Sequence, residues 1–108
     1  MNNEQIYLGK PQTNPIEVCT VQKGQKITLT QIILNNSTET EQEVTLTINT
    51  IDVMTLAAKG KADFYNTSIV LKQGDRLLLK QQTEGAVNVM INGTSEQVLS
   101  NSPTSTPY

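Results

Sequence analysis

Polar and apolar residues alternate along most of this chain, and the alternation is broken at points rich in Gly, Pro or Asn. The clearest run is Glu43–Asn49, where Val44, Leu46 and Ile48 alternate with Thr45, Thr47 and Asn49. A period of two with β-branched residues on both faces is the pattern of a strand. The same pattern predicts a strand at Ile16–Val21, ended by a Gly turn at Gln22–Gln25. The next run, KITLTQIILNN, is apolar on both parities: Ile27, Leu29 and Ile33 share one, Ile32 and Leu34 the other. Such a strand is buried on both faces or shifted by a bulge, and the pattern favours a bulge near Gln31.

The segment ILNNSTETEQEVTLTIN, residues 33–49, is expected to form a β-hairpin with Ile33 turned inward. Its tip, Asn36–Gln42, lacks Gly and Pro, which makes it a longer polar loop and not a two-residue turn. Thr50–Met54 extends the second arm or forms the next short strand. Leu56–Asn66 breaks the alternation and reads as a longer connection, with Gly60 between Lys59 and Lys61. Ile69 and Leu71 then enter a Gln73–Asp75 turn, and Leu77 and Leu79 leave it. In the closing strand Val87, Val89 and Ile91 face one way, and Asn88, Met90 and Asn92 the other.

Short strands at even spacing, Gly turns and no amphipathic helix predict an all-β fold, a single antiparallel β-sandwich of six to eight strands. The pattern allows an Ig-like or a jelly-roll-like arrangement. The expected domain is 16–93, with a core of Val18, Ile27, Leu29, Ile33, Val44, Leu46, Ile48, Ile69, Leu71, Leu77, Leu79, Val87, Val89 and Ile91. Residues 1–15, with Pro11 and Pro15, read as a flexible arm holding at most an edge strand near Ile6–Leu8. Residues 94–108 are rich in Ser, Thr and Pro and read as a second arm.

Composition narrows the function classes. The 108 residues fit one domain, and aromatics make up only 4%, which suits a thin β-protein better than an enzyme with a deep apolar pocket. A net charge of −2 with no run of Lys or Arg argues against a sequence-independent grip on nucleic acid. No segment approaches the roughly 20 apolar residues of a membrane span. The N-terminus lacks the basic and apolar regions of a signal peptide, and the lone Cys19 can form no internal disulfide, so synthesis in a reducing cytosol is expected.

The chain has no His, which removes the common triads and zinc sites. Cys19 lies mid-strand with no expected base beside it and reads as structural. Glu39, Glu41 and Glu43 form a comb of solvated charges expected to discourage strand addition. The Asn-x-Ser/Thr triplets at Asn35, Asn36, Asn66 and Asn92 are expected to arise by chance. No cofactor or metal is expected, and no enzymatic activity. Exposed loops and arms then carry the candidate contacts: Tyr7, Asn36, Glu39, Lys59, Lys61, Tyr65 and Tyr108. The tyrosines could stack sugar rings if they converged.

The order VQKGQKITLTQIILNNST, EVTLTIN, VLKQGDRLLLKQQTEGAVNVMING resembles a group of small accessory proteins of tailed bacteriophages. The resemblance covers roughly Glu17–Gly93. It rests on a Gly turn before an Ile-rich strand ending in Asn-Ser/Thr, then a Val/Thr/Leu alternating strand. A Gly-Asp turn and a Gly-Ala-Val-x-Val strand closed by Gly complete it. The Lys59-Gly60-Lys61 connection is longer and more charged than that pattern requires. The resemblance implies a virion component on a capsid, head–tail connection or tail, with a structural or adhesive role and no reaction. Other virion proteins and further copies of the chain are the implied partners. A module binding host-surface carbohydrate or protein is the alternative.

Overall fold

The computed structural model describes residues 3–98. It is all-β, with β1 (Glu4–Gly9), β2 (Ile16–Thr20), β3 (Gln25–Asn36), β4 (Gln42–Ile48), β5 (Ile51–Ala58), β6 (Asp63–Leu71), β7 (Arg76–Gln81) and β8 (Val87–Gln97). Two four-stranded antiparallel sheets pack together as a sandwich: sheet A in the order β1-β8-β3-β6 and sheet B in the order β2-β7-β4-β5. Every connection passes from one sheet to the other except the β4–β5 hairpin. Pairings therefore nest, with β4 on β5, β3 on β6, β2 on β7 and β1 on β8.

This connectivity corrects the expected hairpin at 33–49. β3 and β4 lie in different sheets, so the polar segment between them carries the chain across the sandwich. The tight hairpin is instead β4–β5, turned through Asn49 at φ 61°. Asn tolerates this left-handed conformation better than most residues because its short amide bonds locally. Here Asn49 Nδ2 donates to Asp75 Oδ1 at 3.1 Å and Asn49 Oδ1 accepts from the Arg76 amide at 3.0 Å.

The bulge near Gln31 is present, and its effect on parity overturns one core assignment. Register shifts between Leu29 and Gln31 against both neighbours of β3. Leu29 to Ile32 (three steps) faces Gly93 to Ile91 (two) in β8 and Ile69 to Tyr65 (four) in β6. Unequal path lengths fan the strands and curve the sheet. Ile27 and Leu29 point inward before the shift, Ile32 and Leu34 after it, and all four are buried. Ile33, expected in the core, is turned to the outer face.

The remaining core follows the alternation: Val44, Leu46, Leu71, Leu77, Leu79, Val87, Val89 and Ile91 are each fully buried. Val18, Ile48 and Ile69 pack against this cluster from partly buried positions. Leu56 and Ala58 also turn inward and are buried, so β5 runs on to Ala58. The connection expected over Leu56–Asn66 shrinks to the four residues between β5 and β6. Small alanines hid the alternation there. β1 and β6 are the edge strands of sheet A, and β8 continues past Gly93 to Gln97, into the segment expected as an arm.

Buried amides tie the connections at the ends of the sandwich. Gln81 Oε1 accepts from the Val87 amide at 2.8 Å, while its Nε2 donates to the Val87 carbonyl at 3.2 Å and to the Pro11 carbonyl. Gln81 thus supplies both partners a strand would have given Val87. At the opposite end, Asp75 Oδ2 accepts from the Lys72 amide at 3.0 Å, closing the β6–β7 turn.

Candidate functional site

The β3 bulge creates the most distinctive surface of the molecule, the outer face of sheet A. Cross-strand partners on one face of a sheet lie in rows perpendicular to the strands. The register Tyr7↔Ile91↔Ile32↔Tyr65 defines an inner row, with a tyrosine at each edge of the sheet. One residue along, Leu8↔Met90↔Ile33↔Phe64 defines an outer row, apolar across all four strands. Leu8 is 58% exposed and Phe64 61%, while Met90 and Ile33 between them are half-buried.

The rows beside it are polar but uncharged. On one side Gln5, Asn92, Gln31 and Asn66 share a row, with Asn92 Nδ2 donating to Gln31 Oε1 at 3.2 Å. Beyond that row come Thr94, Thr28 and Val70. On the other side Asn35 stands opposite Asn88. Leu8, Ile33, Asn35, Asn88 and Met90 line a shallow depression of about 240 Å³. The first charges along β3 are Lys26 and, opposite it, Glu96, which pair at 2.9 Å.

The outer face of sheet B contrasts with this. Lys80 lies 3.9 Å from Asp52 and Arg76 3.7 Å from Glu17, with Glu43 exposed among them. Thr45 and Thr55 share a hydroxyl–hydroxyl hydrogen bond at 3.2 Å. β4 is an inner strand, so Glu43 faces solvent from the sheet's surface and guards no edge. Glu39 and Glu41 are exposed in the connection ahead of it.

The expected contact residues divide between loop, core edge and structural roles. Asn36 is buried, 1% exposed, and not an open contact. Its Nδ2 donates to the carbonyls of Thr40 (2.7 Å) and Ala58 (2.8 Å), and its Oδ1 accepts from the Thr38 amide (2.8 Å). The Asn36 amide donates to the Gly60 carbonyl at 2.9 Å, and Lys61 Nζ to the Asn36 carbonyl at 3.4 Å. Asn36, Lys59 and Lys61 therefore meet at one end of the sandwich, with both lysines exposed.

Tyr7 and Tyr65 do not converge, since they close opposite edges of the core row. Burial raises the Tyr7 hydroxyl above its ordinary value, and the Tyr65 hydroxyl donates to the Ala57 carbonyl. Tyr108 lies outside the described residues. Reading the sequence for loops missed Leu8, Ile33, Met90 and Phe64. The available signal was a large apolar residue on the outward parity of several strands at once.

Among the described residues no group of His, Cys, Asp and Glu is placed to hold a metal ion. Cys19 is half-buried, and its thiol is raised by burial and, secondarily, by the charge of Glu17, which lowers its thiolate fraction. Among the described residues no helix is long and apolar enough to cross a membrane. No family model and no curated protein sequence matches the chain.

Proposed function

We propose that this chain is a non-enzymatic structural protein of a tailed bacteriophage virion, decorating or joining the capsid or tail through contacts with other proteins and with its own copies. The observation that carries the reading is the outer face of sheet A, where an apolar row crosses four strands between uncharged amide rows. A surface of this kind excludes water against another protein and gains little from water alone. A pocket for a sugar would instead gather exposed aromatics in a concavity, and Tyr7 and Tyr65 are turned into the core edge.

The nested pairing supports the jelly-roll-like form of the sandwich over the Ig-like form, because a long hairpin of strands rolled over itself gives this order in both sheets. Jelly rolls occur in viral capsid proteins and in lectins, so the fold alone leaves both a structural and a binding role open. The character of the face favours the first. The test is protein identification in purified particles, with imaging of particles that lack the gene. The chain in stoichiometric amounts, and an altered capsid or tail without it, supports the reading. Unchanged particles that contain none of it overturn the reading.

A further inference from the structure

We propose that the outer face of sheet A binds a second copy of this chain face to face, about a two-fold axis lying in the interface and running along the strands. The inference rests on the protein-contact reading above and names the partner of that surface.

Three features select a second copy. The first is charge: a two-fold contact sets a patch against itself, so any fixed charge near the axis meets its own kind. The rows Leu8–Met90–Ile33–Phe64, Gln5–Asn92–Gln31–Asn66 and Thr94–Thr28–Val70 contain no charged side chain. Within these rows an anionic or cationic partner finds nothing complementary, and the first charges beyond them along β3, Lys26 and Glu96, pair with each other at 2.9 Å. Sheet B, with charges of both signs, lacks that neutrality.

The second feature is self-complementarity. A two-fold axis along the strands, passing between Met90 and Ile33, lays the apolar row on itself and the amide row on itself. Met90 then faces Ile33 of the other copy, and Leu8 faces Phe64. Phe64, 61% exposed, projects at one end of the row, and the depression beside Leu8, Met90 and Ile33 lies at the other. Knob and hollow are therefore exchanged twice across the axis. Each amide carries a donor and an acceptor, so amide rows set against each other can pair in either sense.

The third feature is area. The face runs seven residue steps on β3, six each on β8 and β6 and three on β1. At about 3.3 Å per step and about 4.8 Å between strands, this gives a footprint of roughly 350 Å² per copy. Side-chain relief raises the accessible area above that flat value, which places the contact among small, weak interfaces at or below about 600 Å² per partner. A contact of this size gives a dimer that dissociates in the micromolar range, not an obligate one.

The experiment uses two exposed positions, so that the fold is left intact. One full-length variant carries Leu8→Lys and Phe64→Lys, the other Leu8→Glu and Phe64→Glu. Sedimentation of the wild-type chain over a concentration series should show a monomer–dimer equilibrium. Each variant alone should be folded by circular dichroism, with its dissociation constant raised at least about tenfold. An equimolar mixture of the two should recover the dimer, because opposite charges then meet across the axis. A wild-type chain that stays monomeric through high micromolar concentration overturns the proposal. So does a dimer unaffected by either variant, or folded variants whose mixture stays monomeric. A monomeric chain that is nonetheless found in particles ends this inference and leaves the virion reading standing. A self-associating chain absent from particles does the reverse.

Discussion

Gly93 is held by its neighbours more tightly than its place in an alternating strand suggests. It stands opposite Leu29, where β3 begins to bulge, and a Cβ at this position would lie 2.2 Å from the Thr28 carbonyl oxygen. Backbone cannot yield there without disturbing the register of both flanking strands. Gly93→Ala is expected to cost about 2–3 kcal/mol, read as a lower urea midpoint. Asp75 makes a different prediction at the same scale. The Lys72 amide foremost, then the Asn49 side chain, holds its carboxyl below the ordinary aspartate value, with Lys72 Nζ 3.5 Å away adding to the effect. A group depressed in the folded state stabilises above its unfolded value, about 4, and that contribution is lost as pH falls through the folded value. Stability of the wild type should therefore decline below about pH 4 more steeply than that of Asp75→Asn, compared by urea midpoints across the acid range.

At the scale of the element, β3 is the decisive strand. Its bulge reverses which residues reach the core, so Ile32 and Ile33 should respond in opposite ways to truncation. Ile32→Ala is expected to destabilise by about 2–5 kcal/mol, Ile33→Ala by less than about 1 kcal/mol. Equal effects in denaturant titrations would contradict the register. The bulge was legible in the sequence because apolar residues occupied both parities of KITLTQIILNN. Which side of it held the inward set was not, since Ile32 with Leu34 and Ile33 alone are both plausible continuations of Ile27 and Leu29. Strict alternation made β4 legible almost residue by residue, and β8 as far as Gly93; Thr94–Gln97, expected as the start of an arm, continue that strand. The β5–β6 region was not, because Ala57 and Ala58 carry too little side chain to mark a face. Pairing was hidden for a further reason: a polar loop looks the same whether it turns a hairpin or crosses to a second sheet. Asn36 shows the cost of that ambiguity, since its amide staples a crossing and was expected to lie open to contacts.

At the scale of the whole molecule, the two sheets divide the surface by chemistry. Sheet B presents paired charges that suit solvent, and sheet A presents an apolar row flanked by uncharged amides. None of the four residues in that row was expected to make contacts, because periodicity marks what is inside and only the register joins outward residues across strands. The proposed virion role therefore requires the outer face of sheet A to be a contact surface. The most direct test is hydroxyl-radical footprinting of the chain in purified particles against the dilute free protein. Leu8, Phe64 and Met90 should become protected in particles, while Val53 on β5 keeps its reactivity. Equal labelling of Leu8, Phe64 and Met90 in both states, or protection confined to sheet B, would contradict the account.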